Sequence, residues 1–263
     1  YSAIVSAARV VLSARRGALS EQLEKSFRPS TAAAPSQPAS SSSAGPATDQ
    51  IEVPSLEFWN GYGGFADNGR EYVVVLDGST TTPAPWVNVI SNESIGFQIS
   101  AEGAGYTWAV NARERQLTPW SNDSAANRPG EVIYLRDEDS GELWSATSSP
   151  IRNYLSRYVV RHGHGYSQFE NAQFAISTML DVFVAPSDPV KMARLTLHNR
   201  SAKPRRVAVT QYLELILGQA RQPNAVGCAT RFDASLNCIF TQNSWHSFYP
   251  DRVAFSLVQQ PPR

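Results

Sequence analysis

Three stretches decide the fold: AQFAISTMLDVFVA (172–185), VKMARLTLHN (190–199) and RRVAVTQYLELILG (205–218). They are rich in β-branched and aromatic residues and are separated by Pro, Asp, Asn and Lys clusters, the grammar of strands joined by turns. The last two read as arms of one hairpin, with Asn199 to Pro204 as a polar tip between strands that alternate apolar and polar. Strands this long point to a large twisted sheet.

Working towards the N-terminus, the same grammar continues in EVIYL (131–135), YTWAV (106–110), IGFQIS (95–100), WVNVI (86–90) and EYVVVL (71–76), and RVAFSLV (252–258) extends it the other way. Few of these runs carry helical periodicity or the caps a βα alternation requires. In RDEDSGELW (136–144), Ser140 and Gly141 stand where a tight turn needs positive φ, with Tyr134 and Trp144 near the ends of the arms. The expected fold class is therefore mainly β: a large antiparallel β-sandwich over residues 51–263.

Before residue 51 the composition changes. Residues 1–27 place Ile4, Val5, Ala8, Val11, Leu12, Leu19, Leu23 and Phe27 three and four apart, which predicts a helical segment, broken at Gly17. Residues 28–50 are Ser, Pro and Ala with almost no charge or large apolar groups, the composition of a flexible, disordered linker. The chain starts at Tyr1 rather than Met and stops soon after SLVQQPPR begins, so both ends are expected to be cuts through a longer polypeptide.

Lys plus Arg and Asp plus Glu are both 23, a formal net charge of zero, so no electrostatic footprint for nucleic acid is present. No apolar run approaches the ~18 residues needed to cross a bilayer, and no secretory signal pattern occurs. Cys228 and Cys238 are too few for a disulfide framework and lack the spacing of a zinc site; they read as buried or idle thiols, with a bridge between them left open.

Four segments could carry chemistry. Glycines 61, 63 and 64 in WNGYGGFADNGREYVV (59–74) resemble a phosphate loop only superficially, because no strand precedes them and no helix follows; a glycine-rich turn entering a strand is the better reading. In RHGHGYSQFEN (161–171), His162, His164 and Glu170 fall short of a closed metal site and read as a strand-to-strand turn with partly buried histidines. Asp137, Glu138 and Asp139 crowd one hairpin turn and cannot flank a scissile bond as a glycosidase pair must. No catalytic or metal-ligating residue is therefore assigned.

The fourth segment, GAGYTWAVNARERQLTPWSNDSAANRPGEVIYLRDEDSGELWS (103–145), combines Tyr106, Trp108 and Trp120 with Asn111, Arg113, Arg115, Gln116, Asn122 and Asp123. Aromatic faces stack on the C–H surfaces of sugars while amides, guanidinium groups and carboxylates bind the hydroxyls, so this is the expected carbohydrate contact. The residues proposed to bind are Arg115, Gln116, Trp120, Asn122 and Asp123; Trp108, inside a strand-like run, is expected in the core.

The strings GYTWAVNARERQLTPWSND and PGEVIYLRDEDSGELWS, with NGYGGFADNGREYVV, TPAPWVNVISNESIGFQIS, YVVRHGHGYSQFEN, DPVKMARLTLHNRSAKPRRVAVTQYLELILG and RFDASLNCIFTQNSW in the same order, resemble glycoside hydrolase family 94, in particular its cyclic β-1,2-glucan synthase branch. The resemblance covers residues 58 to about 258. It implies a galactose-mutarotase-like supersandwich, joined in the whole enzyme to a helical linker and an (α/α)6 barrel. It implies inverting phosphorolysis of β-glucosides, with inorganic phosphate as co-substrate, no other cofactor, and a catalytic Asp in the barrel rather than in this chain. It further implies that the sandwich helps build a homodimer and lends the Arg115–Asp123 loop to the active-site rim. Pro119, Trp120 and Ser121 replace arginines found in cellobiose phosphorylase-like members, which favours a β-1,2-glucan partner. By the same resemblance the parent is a large bacterial inner-membrane protein, with this region on its cytoplasmic side. The rival readings are a stand-alone carbohydrate-binding module and a structural domain without sugar contact; burial of Trp120 would favour the latter.

Overall fold

A computed structural model describes Ala18 and residues 51–221, 227–247 and 252–259. The expected helix over 1–27 and linker over 28–50 lie outside the described residues, Ala18 apart. The chain divides between Ala47 and Thr48, and the second unit is a mainly antiparallel β structure.

One sheet has six strands in the order β1 (Gly63–Ala66), β2 (Glu71–Leu76), β8 (Tyr158–Gly163), β9 (Tyr166–Gln173), β10 (Ile176–Val184) and β11 (Lys191–Asn199). Three smaller sheets accompany it. They are β3 (Val87–Ser91), β4 (Ile95–Ser100) and β5 (Gly105–Ala109); β12 (Val207–Leu213), β6 (Glu131–Asp137) and β7 (Leu143–Ser145); and β13 (Cys228–Asp233), β14 (Cys238–Asn243) and β15 (Val253–Leu257).

The core follows from the period of two. On one face of the large sheet, Val74, Leu76, Tyr158, Val160, Phe169, Ile176, Leu180 and Val182 meet Ile90, Phe97 and Ile99 from β3 and β4, and Leu135 and Trp144 from β6 and β7. Trp144, Tyr158, Phe97 and Phe169 are the largest wholly buried side chains, each contributing roughly 1.5–3 kcal/mol by burial. On the other face Val73, Val75 and Val159 are covered by Ile51, Leu56 and Ala66. β2 is thus buried on both faces, which is why it reads as an unbroken apolar run.

Two expectations change. The run 172–185 is two strands, because Phe174 and Ala175, at φ 52° and 61°, make a two-residue turn that pairs Gln173 with Ile176. The supposed hairpin across Asn199–Pro204 is a crossing between sheets: β11 pairs only with β10, and β12 pairs with β6. The Asn199 side chain closes a local turn, accepting from Ser201 N at 2.9 Å and donating to the Lys203 carbonyl at 2.7 Å. Arg205 then binds Asp137 Oδ2 at 2.6 Å and the Phe174 carbonyl at 2.9 Å, while Arg206 holds Asp139 at 2.6 Å. These ion pairs draw the chain to the β6–β7 turn instead of back along β11.

The β6–β7 hairpin forms, with Leu135 opposite Trp144, but of the two turn residues expected at positive φ only Gly141, at 79°, has it; Ser140 does not. Cys228 faces Asn243 and Cys238 faces Asp233, so β13–β14 register separates the cysteines by five positions and no bridge forms.

Candidate functional site

The 103–130 segment builds its site on the outer face of the β3–β4–β5 sheet. Residues directly opposite in antiparallel strands share a face, so the pairings Val89–Gln98–Tyr106 and Ser91–Gly96–Trp108 make two adjacent outward rows. The inward rows carry Ile90, Phe97 and Ile99 to the core. Trp108 is therefore not core, contrary to expectation; its indole lies across Gly96, where an added Cβ would stand 2.5 Å from Cζ2. Only a residue without a side chain leaves that seat open.

After β5 the chain turns at Val110, φ 64°, and Asn111 Oδ1 accepts from Arg113 N and Glu114 N at 3.0 and 2.8 Å. Residues 115–118 then return beside β5: Ala109 N donates to Arg115 O at 2.9 Å, and Leu117 N to Thr107 O at 2.8 Å. On the far side Gln116 pairs with Gly218. This return brings Trp120 over Tyr106, the rings near-parallel at 18° with centroids 5.7 Å apart, and Tyr106 touches Trp108 at 5.1 Å. Trp120 is 48% exposed, Tyr106 is buried beneath it, and Trp108 is half-buried.

The five expected contact residues divide. Trp120, Asn122 and Asp123 are exposed on one loop, Asn122 at φ 47°. Asp123 caps the following turn, accepting from Ala126 N at 2.9 Å and Ala125 N at 3.0 Å, bonds that hold its carboxyl below the usual range. Gln116 is buried; its Oε1 accepts from Trp120 N at 3.1 Å, so it positions the tryptophan from within. Arg115 is half-buried beside β5.

Beneath the loop lies a network that the sequence did not reveal. Glu131 Oε1 accepts from Thr107 and Thr118 hydroxyls at 2.5 and 2.6 Å, and Oε2 from Lys191 Nζ at 2.5 Å. Lys191 also reaches Thr107 Oγ1 at 3.0 Å and sits 4.5 Å over the Phe97 ring. Burial pushes the Glu131 carboxyl up, but Lys191 and the two hydroxyls outweigh it and hold the group ionised. Thr118 in turn accepts from Thr107 N at 2.8 Å, so the root of the Trp120 loop is fastened to β5, β6 and β11 together. Alternating apolar residues mark β6 and β11, but nothing local says that Glu131 and Lys191 meet 60 residues apart.

The other sequence candidates are structural in placement. Asp137 binds the Ser140 and Asp139 amides and Arg205, which together hold its carboxyl down at about 2 despite burial. His162 pairs with Ser167 across β8–β9 and Glu170 with Val159, positions of opposite parity, so the two side chains leave opposite faces of the sheet. Glu170 instead accepts from Arg161, which also holds Glu71 at 3.0 Å. Gly63 and Gly64 open β1, with Gly64 pressed so close to the Glu57 carbonyl that a Cβ would lie 2.6 Å from it. Among the described residues no three His, Cys, Asp or Glu side chains gather as metal ligands, and no helix is long and apolar enough to cross a membrane.

The arrangement is thus an aromatic step with a polar rim, of a shape and chemistry that suit an amphipathic ring. The chain is 38% identical to the cyclic beta-(1,2)-glucan synthase NdvB of Rhizobium meliloti (strain 1021), over 97% of this chain and 9% of that protein. It is 30% identical to the N,N'-diacetylchitobiose phosphorylase of Vibrio furnissii, over 62% of this chain and 20% of that one. With the solabiose phosphorylase of Paenibacillus borealis it shares 34% over 61% of its own length and 21% of the relative's. The chain therefore spans a fifth or less, or little more, of these relatives. The model of the glycosyl hydrolase 94 supersandwich domain matches residues 70–263, and the chain belongs to that family.

Proposed function

We propose that this chain is the sandwich region of a cyclic β-1,2-glucan synthase-type glycoside phosphorylase, presenting the Arg115–Asp123 loop to β-glucan at the rim of an active site completed by an (α/α)6 barrel. The observation that carries this reading is Trp120, 48% exposed, stacked on Tyr106 and flanked by Asn122 and Asp123. That exposure beside polar side chains supports sugar contact over a purely structural loop. The chain holds the sugar while the acid and the phosphate site belong to the barrel, so the isolated chain is inactive in phosphorolysis. Localisation at the cytoplasmic side of the bacterial inner membrane, and a homodimer through the sandwich, complete the proposal. Val253, Phe255 and Leu257, each about half exposed along one face of β15, supply apolar surface for contact with the rest of such an enzyme.

The test is tryptophan fluorescence of the folded chain titrated with linear β-1,2-glucan, with cellobiose as control and Trp120→Ala alongside. The reading expects a saturable change with the glucan that Trp120→Ala diminishes. An identical titration in the variant would overturn the assignment of the loop.

A further inference from the structure

A second groove lies away from that loop, where β2, β8 and the entry to β3 meet, and none of its residues takes part in the site above. It is an open groove lined by Asn60, Tyr72, Trp86, Val87, Asn88 and His162, with a volume of about 410 Å³. Its walls are aromatic. Trp86 is met edge-on by Tyr62 at 5.7 Å and by Tyr72 at 5.9 Å, and both Tyr72 and Trp86 rest on the core, so the rings are rigid.

Two of its polar groups, the Tyr72 hydroxyl and the Asn88 amide, are oriented by bonds that leave one function of each to spare. Asn60 Oδ1 accepts from Tyr62 N and Gly63 N at 3.1 Å, and its Nδ2 donates to Tyr72 Oη at 2.9 Å, leaving the tyrosine proton to donate. Asn88 Nδ2 donates to the carbonyls of Gly163 and Tyr166 at 3.0 Å and to Ser167 Oγ at 3.2 Å, leaving Oδ1 as an unused acceptor. His162 Nδ1 shares a hydrogen bond with Ser167 Oγ at 2.9 Å. Burial pushes this imidazole down to about 4, against a smaller upward pull from a hydrogen bond to the Trp86 backbone, so at neutral pH it lines the groove as an uncharged ring.

We propose that this groove is a binding site for a single pyranose residue of an oligosaccharide, stacked against Tyr72 and Trp86 with its hydroxyls bonded to the Tyr72 hydroxyl and Asn88 Oδ1. The chemistry selects this class: apolar ring faces beside neutral donors and acceptors suit an uncharged polyhydroxylated ring, and among the lining residues no cation or carboxylate recruits a phosphate or an amine. The site does not depend on the Trp120 loop, so it stands or falls separately from the function proposed above.

The experiment is indole and imidazole 15N NMR of the full chain, titrated with linear β-1,2-glucan and with cellobiose, the Trp86 peak being identified by its loss in Trp86→Phe. The Trp86 indole peak and the His162 Nε2 resonance are expected to move saturably with at least one of the two sugars, and to do so equally in Trp120→Ala. Tyr72→Phe, which keeps the ring and removes the hydroxyl, is expected to weaken this binding about fivefold, the effect of one hydrogen bond. If both probes stay still in wild type while the Trp120 peak moves, the groove is not a sugar site although the loop is. If both stay still with every sugar at saturating concentration, the inference is overturned outright. Because the decisive readings come from wild type and Trp120→Ala, a folding defect in either groove variant would not obscure them.

Discussion

Replacing Lys191 by Met tests whether the network under the candidate loop is a buried ion pair or surface decoration. Met keeps an apolar side chain of similar length and removes the ammonium that lies over Phe97, leaving the Glu131 carboxylate with only the Thr107 and Thr118 hydroxyls. Unpairing a buried charge costs about 3–5 kcal/mol. The lower end applies here, because two hydroxyls remain and the Glu131 side chain keeps 19% of its exposure, so about 3 kcal/mol is expected. With a urea m-value near 2 kcal/mol/M, that loss lowers the unfolding midpoint by roughly 1.5 M. The pH dependence has a definite sign. In wild type the Glu131 carboxyl lies below its ordinary 4.5, so its contribution is present above that value and is lost as pH falls through the folded value. In Lys191→Met burial acts unopposed by the ammonium and raises the carboxyl, so the variant recovers as pH falls, and the gap to wild type narrows between pH 7 and pH 4. The double variant Lys191→Met/Glu131→Gln, with neither charge, is expected to be more stable than Lys191→Met alone. A Lys191→Met cost below about 1 kcal/mol, the value of an exposed pair, together with a pH-independent gap, would refute the reasoning.

Gly96→Ala drives a methyl into the Trp108 ring and within 2.8 Å of Ser91 Cβ; a loss of about 1–3 kcal/mol is expected by urea unfolding, with Trp108 displaced and near-ultraviolet circular dichroism altered. Asp137 is held at about 2 by the Ser140 amide above all, so its stabilising effect is present above its ordinary 3.8 and disappears as pH falls towards 2. Asp137→Asn is accordingly expected to be less stable at pH 7 and to lose less than wild type between pH 4 and pH 2, measured as urea midpoints at each pH. Ala175→Gly relieves an L-residue at φ 61°, worth about 1–2 kcal/mol, against about 0.5–1 kcal/mol of added chain entropy, so a small rise in the unfolding midpoint is expected; a fall would show that the Ala175 methyl packs.

Legibility in the sequence tracks how local each determinant is. EYVVVL and IGFQIS are strands to the residue, because their apolar runs and flanking Gly, Asp and Asn are contained within the element. The turn at Phe174–Ala175 was hidden because neither residue is one that favours positive φ; the pairing of β9 with β10 and then β11 along nine residues imposes it. The crossing after Asn199 was misread for a related reason. A polar tip between two alternating runs is what a hairpin looks like, and only the attraction of Arg205 and Arg206 to Asp137 and Asp139, about 67 residues away, separates the two cases.

The candidate site divides along the same line, and the division bears on how the loop works. That Trp120, Asn122 and Asp123 stand exposed on a loop is legible, because they fall in a polar run between two strand-like stretches. Trp108 was misplaced because a tryptophan in a strand faces inward or outward by register alone, and Gly96, the residue that decides it, sits on the neighbouring strand. Gln116 was legible as a polar residue but not as an inward one. Its amide oxygen fixes the Trp120 backbone, Thr118 is held by Glu131, and Tyr106 lies under the Trp120 ring, so three separate constraints act on a five-residue stretch. If the loop binds sugar as proposed, a loop fixed in this way has little ordering left to do, and rigid aromatics lose the least entropy on binding. On that proposal, loosening any one constraint weakens glucan binding without changing what touches the sugar, and Lys191→Met, which alters no exposed loop residue, is the variant that separates positioning from contact.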